Sequence, residues 1–153
     1  MDIKSAIDSC MNGDMIWPSC ENYAETIDGC KGVLSADMQA CVKGNIFYHD
    51  WVLHKIEWDN PYDKMNANPI LRITIAYDEV LLRINMYDVV AFEMHAGDME
   101  EGYISYVEQV MWMMFNQKKH SLGEMGCNLA FGTCIYAQFR RADVECSIKG
   151  DAI

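Results

Sequence analysis

The alternation of residues in ILRITIAYDEVLLRINMY, positions 70–87, constrains the fold of this chain more than any other stretch. On either side of Asp78-Glu79, apolar residues occupy every second position. They are Leu71, Ile73, Ile75 and Tyr77 before that pair and Val80, Leu82, Ile84 and Met86 after it. Because side chains alternate between the two faces of a strand, the pattern predicts two strands that share one buried face. The tight connection between them predicts a hairpin.

Further strands are predicted on both sides of this hairpin. Ile46 to Asp59 reads as one strand, and alternation predicts four more, marked by the sets Val90, Phe92 and Met94, then Met125, Cys127, Leu129 and Phe131, then Ile135, Ala137 and Phe139, and finally Val144, Cys146 and Ile148. The stretch from Tyr103 to Phe115 fits a helix face as well as a strand face. Its neighbours favour a strand.

The first 44 residues show helical rather than strand-like spacing of their apolar residues. Ile3, Ala6, Ile7, Cys10 and Met11 fall at helical spacing, and Gly13 would end that helix. Ser35, followed by Asp37 and Met38, is predicted to open a second short helix that closes near Lys43-Gly44. The break at Trp17-Pro18 separates the first helix from the next segment.

These patterns predict a single domain of the α+β class that is mainly antiparallel β. Residues 45–153 would form a meander of short strands curled into a sandwich or an open barrel. Residues 1–44 would form a short helical N-terminal segment that covers one face or edge. A chain of 153 residues suits one core of this kind.

The net charge of the chain limits the kind of partner that we expect it to bind. The chain has 23 acidic residues against 12 Lys and Arg, for a net charge of −11. Such a field repels phosphate backbones, so we expect no nucleic-acid partner. Two stretches, 5–30 and 84–117, contain acids but no Lys or Arg. A basic protein partner, or solubility alone, would account for them.

The sequence also bears on the compartment. It shows no apolar run long enough for a membrane span and no signal peptide, so we expect a cytoplasmic protein without a membrane partner. The seven cysteines are odd in number and include no CxxC pair. We therefore expect reduced thiols, no structural zinc and no cofactor.

The stretch FYHDWVLHKIEWD, positions 47–59, looks most like a site because it combines histidines, acids and tryptophans. In a strand, His49 and His54 would point to opposite faces, so they cannot form a metal pair by themselves. Zinc would need at least one ligand from a distant segment, such as His95 or His120. We expect His49 and Asp50 to serve the fold, with Asp50 accepting backbone N–H hydrogen bonds in the turn that enters the strand and His49 donating to a carbonyl or a carboxylate.

The segments YHDWVLHKIEWD, ILRITIAYD and VVAF, within residues 46–95, resemble small bacterial β-rich proteins of unknown function. Several of those proteins look like immunity proteins of contact-dependent or polymorphic toxin systems. The resemblance implies a small inhibitor that neutralises a toxin domain. It assigns a role to no residue of this chain.

The sequence leaves three hypotheses about function, and none rests on a catalytic motif, because GxSxG, HExxH, P-loop and GxGxxG patterns are missing from it. The first is a non-enzymatic acidic binding protein, of immunity type, that inhibits a basic toxin domain. The second is a small metal-dependent hydrolase that uses His49 and Asp50. The third is a structural protein that forms a homo-oligomer. For the first, the partner-binding residues would be Asp98, Glu100 and Glu101, which crowd one glycine-flanked loop.

Overall fold

The structure is a computed structural model, and it describes residues 2–14, 18, 21–44, 48–60, 68–95 and 109–148. Within these ranges three helices precede eight strands. The helices are α1 (Ile3–Met11), α2 (Tyr23–Asp28) and α3 (Ala36–Gly44). The strands are β1 (Val52–Asp59), β2 (Ile70–Tyr77), β3 (Val80–Tyr87), β4 (Ala91–His95), β5 (Val110–Lys119), β6 (Leu122–Leu129), β7 (Cys134–Phe139) and β8 (Arg141–Ile148).

The strands form two antiparallel sheets, ordered β1-β2-β3-β8 and β4-β7-β6-β5. Each sheet contains a three-stranded meander, β1-β2-β3 or β5-β6-β7, and takes its fourth strand from the other half of the chain. The sheets do not close into a barrel. The prediction of a mainly antiparallel α+β fold is therefore confirmed, and of its two forms the sandwich is the one adopted.

One bent ribbon joins the two sheets. The β3–β8 pair continues directly into the β4–β7 pair, because Asp88–Val90 links β3 to β4 and Arg140 links β7 to β8. Two hydrogen bonds hold this corner, from Arg140 N–H to the Tyr87 carbonyl (3.0 Å) and from Val90 N–H to the Gln138 carbonyl (2.9 Å). Strands that pass from sheet to sheet in this way are a common means of building the corners of a sandwich.

The predicted hairpin is confirmed. β2 and β3 pair in the register that places Ile73 beside Ile84 and Ile75 beside Leu82. The inward face is fully buried at Leu71, Ile73, Ile75, Ile84 and Met86. Asp78 closes the turn with a left-handed backbone (φ 52°). The stretch Tyr103–Phe115 is strand from Val110 onward, while residues 103–108 lie outside the described ranges.

Both predicted helices are confirmed. In α1 the Asp2 side chain accepts from Ser5 N–H (3.0 Å), and beyond its C-terminal end Gly13 takes a positive φ of 89°. In α3 the Ser35 hydroxyl accepts from Met38 N–H (3.1 Å). Helix α2 was not predicted, since a six-residue helix has too few turns to show a period; it is held by burial of Tyr23 and Ile27.

The predicted strand Ile46–Asp59 is wrong at its start. β1 begins only at Val52, because Tyr48 and Asp50 take left-handed conformations with φ of 51° and 71°. Residues 45–47 lie outside the described ranges. The predicted faces are also wrong beyond this point, because a bulge inserts His54 between Leu53 and Lys55. Leu53 and Ile56 consequently both pack against the core.

Candidate functional site

The turn Tyr48–Asp50, which we call the strained turn, holds two of the six non-glycine residues with positive φ in the described backbone. Left-handed geometry is uncommon for a residue with a side chain, and for a bulky one such as Tyr48 it is an outlier. Each such residue costs on the order of 1–3 kcal/mol, so the surroundings must impose the conformation. The imposing contacts come from β5, where Asp50 N–H donates to the Val110 carbonyl (3.1 Å) and Val110 N–H donates to the Trp51 carbonyl (2.7 Å).

The side chains of the turn reinforce this pairing. Gln109 Nε2 donates to Asp50 Oδ1 (2.7 Å), and His49 Nδ1 lies 2.8 Å from the same oxygen. His49 thus meets a carboxylate, as expected. Asp50 accepts from a distant side chain rather than from a backbone N–H. Both of these contacts among described residues use Oδ1, and the Asp50 side chain as a whole is 59% exposed.

An aromatic series connects the turn to the surface. Tyr48 is buried with its hydroxyl 3.2 Å from Cys41 Sγ, and its ring meets Trp51 edge-on at 5.5 Å. Trp51 in turn lies 5.6 Å from the ring of Tyr77, which is 53% exposed. The exposed Tyr77 ring therefore packs on Trp51, which in turn packs on the buried ring of Tyr48.

A groove of about 430 Å³ lies beside this series, between the start of β1 and the β2–β3 turn. Asp50, His54, Tyr77 and Asp78 provide its polar and aromatic walls. Val52, Leu53 and Ala76 complete its lining. The bulge at His54 accompanies the presence of that histidine in the groove lining, and the left-handed residues Asp50 and Asp78 lie just beyond the same end of the β1–β2 pair, where Val52 pairs with Ala76. We call this feature the acidic groove.

The four histidines have different surroundings. His49 belongs to the strained turn and His54 to the acidic groove, whereas His95 pairs with Cys134 at the end of β4 and His120 lies in the β5–β6 turn. Across the described ranges, no three His, Cys, Asp or Glu side chains are grouped so that they could hold a metal ion. The hydrolase hypothesis, which needed such a group around His49 and Asp50, stays a prediction.

The predicted partner-binding residues Asp98, Glu100 and Glu101 lie outside the described ranges. The acids of the N-terminal stretch are described and are all exposed: Asp8, Asp14, Glu21, Glu25 and Asp28. Lysines neutralise two of them, Lys4 at 3.3 Å from Asp8 and Lys43 at 2.6 Å from Asp28. Within the described residues, no ion pair engages the other three.

A buried polar cluster under α1 was not predicted from the sequence. Glu124, only 3% exposed, accepts from the Tyr136 hydroxyl (2.6 Å) and from Asn116 Nδ2 (3.3 Å). Burial, followed by the hydrogen bond to Glu124, raises the pKa of Tyr136. Gln138 donates to the same hydroxyl (3.0 Å). Each of these side chains has a protein partner, and Lys4 Nζ of α1 lies 4.9 Å from the centre of the Tyr136 ring, so the cluster helps to hold α1 on the sheet.

A second cavity, of about 240 Å³, adjoins the junction of α3 with β8. Lys31, Arg141, Tyr87 and Asp143 line it, together with Val33–Ser35 and Ala142. The Arg141 guanidinium lies over the Tyr87 ring at 4.3 Å, and Tyr87 donates to Asp143 (3.2 Å). Asp143 offsets part of the positive charge of Lys31 and Arg141. This cavity is therefore less suited to a ligand of a single charge than the acidic groove is.

The cysteines of the described ranges carry thiols and form no disulfide: Cys10, Cys30, Cys41, Cys127, Cys134 and Cys146. Burial raises the pKa of Cys30 to about 11 and that of Cys134 to about 12, and it raises the pKa of Cys127. Thiols held protonated in this way are poor nucleophiles. They act as small apolar side chains of the core.

None of the described helices combines the length and apolar character that crossing a bilayer requires. Comparison with known protein families, characterised proteins and solved structures gives no match for this chain.

Proposed function

We propose that this protein is a non-enzymatic acidic binding protein that recognises a basic protein, as an immunity-type inhibitor of a basic toxin domain would. The observation that carries the proposal is the acidic groove, whose lining includes Asp50 and Asp78 and, among the residues that the structure describes, neither Lys nor Arg. A cleft lined by one sign of charge concentrates partners of the opposite sign.

The surface charge supports the same proposal. The net charge of −11 is accompanied by three exposed N-terminal acids that are not engaged in the ion pairs of the described chain: Asp14, Glu21 and Glu25. Charge of this kind speeds encounter with a basic partner and sets specificity more than affinity. A toxin that grips nucleic-acid phosphates presents the basic surface that such an inhibitor would cover.

The strained turn also supports a binding role. The free-energy cost of left-handed Tyr48 and Asp50 is met by contacts that fix Asp50 at the rim of the groove. Carboxylates held in place before association lose less conformational entropy when a partner docks. A solvated loop of acids would lack that advantage.

Co-expression with the product of the gene that neighbours its own tests the proposal, because an immunity-type inhibitor would be encoded beside its toxin. We expect this protein to restore growth of a host that the toxin domain kills, and the two purified proteins to form a stoichiometric complex. Association should slow steeply as salt rises from low to physiological concentration, because screening lengths shorten to about 8 Å.

Two results would overturn the proposal. One is that the neighbouring product is neither basic nor toxic. The other is that the toxin stays lethal although this protein accumulates to an equal level, and that the purified pair does not associate at low salt. The variant Asp98→Ser/Glu100→Ser/Glu101→Ser tests the predicted loop separately. If the loop contacts the toxin, this variant should associate with the toxin more slowly than the wild-type protein does.

A further inference from the structure

We infer that the acidic groove is a receptor for a single lysine or arginine side chain of the partner. This inference rests on the proposed function, since it names the group that a basic partner would insert. It assigns a site on the described surface, separate from the loop that the sequence favoured.

The lining of the groove matches a long cationic side chain in two parts. Val52, Leu53 and Ala76 line the groove, and Val52, which is 42% exposed, offers apolar surface for the alkyl stem. The carboxylates of Asp50 and Asp78 offer acceptors for the charged end. Lysine and arginine both bury their stems along apolar surface while the head reaches polar groups, so a site with this division suits them.

Tyr77 adds a contact that a small metal cation would not need. Its ring is 53% exposed at the groove and is supported from behind by Trp51 at 5.6 Å. A cation placed over an aromatic face within about 6 Å is attracted by the ring quadrupole. The combination of an apolar surface, a ring and two carboxylates favours an organic cation over a metal ion.

The volume of the groove sets the size of the ligand. About 430 Å³ is room for one long side chain with its solvent, but it is small for a folded element. Lys55, the nearest cation along β1, lies 3.6 Å from Glu57 and is not part of the lining. The partner therefore supplies the cation.

Asparagine variants test the site without disturbing the turns. Asp50 and Asp78 both have positive φ, and asparagine accepts that backbone conformation more readily than most residues do. The variant Asp50→Asn/Asp78→Asn thus removes two charges and keeps the shape. The matched control, Glu21→Gln/Glu25→Gln, removes two charges from the N-terminal stretch, away from the groove lining.

The probe is a capped Gly-Arg-Gly peptide, with Gly-Lys-Gly as a second cation and Gly-citrulline-Gly as a neutral peptide of the same shape. Titration into ¹⁵N-labelled protein with a chelator present should give saturable amide shifts within residues 50–54 and 76–78. We expect the groove variant to weaken binding of both cationic peptides roughly tenfold and the control variant less than about twofold. The variant Tyr77→Leu should weaken it by a smaller factor.

Three outcomes would overturn the groove assignment. They are equal binding of the citrulline peptide, equal weakening by the groove and control variants, and shifts spread over the surface. The last two would leave the proposed function standing, because overall charge alone would then gather basic partners. Loss of protection in the toxin assay, with groove-specific peptide binding intact, would instead overturn the proposed function and leave the groove as a cation site.

Discussion

At the scale of single residues, Asp50 combines two tasks. Its backbone belongs to the left-handed turn that precedes β1 and is hydrogen-bonded to β5. Its side chain lines the acidic groove. Because one oxygen is tied to Gln109 and His49, the side chain can support the turn and still present charge. The fold and the proposed binding site therefore share this residue.

Substitutions at Asp50 should separate the backbone contribution from that of the side chain. We expect Asp50→Ala to lower the free energy of unfolding by about 1–3 kcal/mol, since alanine disfavours left-handed geometry and cannot bond Gln109. Asp50→Gly should cost less because glycine accepts this φ freely, and Asp50→Asn should cost least. Urea denaturation measures all three. An equal loss for alanine and glycine would show that the conformation is not the cause.

The thiols should react in an order set by burial. Cys146 is exposed, whereas Cys10, Cys30, Cys127 and Cys134 are buried. In a Cys20→Ser variant, which removes the cysteine outside the described ranges, we expect one thiol to react rapidly with a disulfide reagent in the native state and six after denaturation. Mass spectrometry identifies the modified cysteine. Rapid native reaction at Cys127 or Cys134 would contradict the buried placement.

At the scale of elements, the helices cover edges and faces that the strands leave open. The Tyr23 hydroxyl of α2 accepts from Phe115 N–H on the edge strand β5 (2.9 Å). Ahead of α3, Ser35 N–H donates to the Ala142 carbonyl (3.0 Å) at the start of β8. Unpaired strand edges can associate with other chains. These contacts occupy backbone groups on the edge strands β5 and β8 and so oppose such association. Meanwhile α1 packs across β5, β6 and β7.

The docking of α1 depends on one glycine. A Cβ on Gly126 would approach Ile7 Cγ1 to 3.2 Å and Trp112 Cζ3 to 3.1 Å, and it would overlap the Ile3 side chain. We expect Gly126→Ala to destabilise the protein by about 1–3 kcal/mol, the usual cost of overpacking. Thermal or urea unfolding checks this.

Gly44→Ala is the matched control for this prediction. A Cβ at Gly44, the last residue of α3, meets nothing within 4 Å. Alanine has the higher helix propensity, so the control should be unchanged or slightly more stable. Equal destabilisation of both variants would remove α1 packing as the explanation.

At the scale of the whole molecule, the two meanders are locked together by exchanged strands. β8 completes the sheet of β1–β3, β4 completes the sheet of β5–β7, and Trp58 stacks on Phe92 (5.3 Å) where β1 and β4 approach. This arrangement buries phenols and thiols from every part of the chain. Burial raises the pKa of Tyr23, Tyr48 and Tyr136 in the folded state.

These shifted groups predict a loss of stability in alkali. The unfolded chain releases thiol and phenol protons near their ordinary values of 9.0 and 10.0, whereas the folded protein retains them. Since the folded state then binds more protons, the free energy of unfolding is unaffected by these groups below about pH 9 and falls above it. Each buried phenol contributes up to about 1.4 kcal/mol per pH unit.

Urea denaturation between pH 7 and 11 measures the effect, with absorbance at 295 nm reporting phenolate formation. Phenolate should appear together with unfolding. Tyr48→Phe should flatten the pH dependence, because it removes one of the groups whose pKa burial raises most. A stability that stays constant to pH 11 would contradict the buried placement of these phenols.

Local pattern was sufficient for much of the fold. The alternation in residues 70–87 predicted the β2–β3 hairpin and its buried face, and the spacing of Ile3 to Met11 predicted α1. These features depend on neighbours a few positions apart, where periodicity reports which side is buried.

Tertiary contacts decided the candidate site. The left-handed turn at Tyr48–Asp50 is imposed by Gln109 and Val110, about 60 positions along the chain, and the bulge at His54 reverses the alternation that the sequence predicted for β1. No local period encodes such pairing, because its free energy comes from hydrogen bonds and packing between distant segments. The sequence alone thus determined the strands and the acidic charge, whereas only the packing of β1 against β2 and β5 placed Asp50, Asp78 and Tyr77 around one groove.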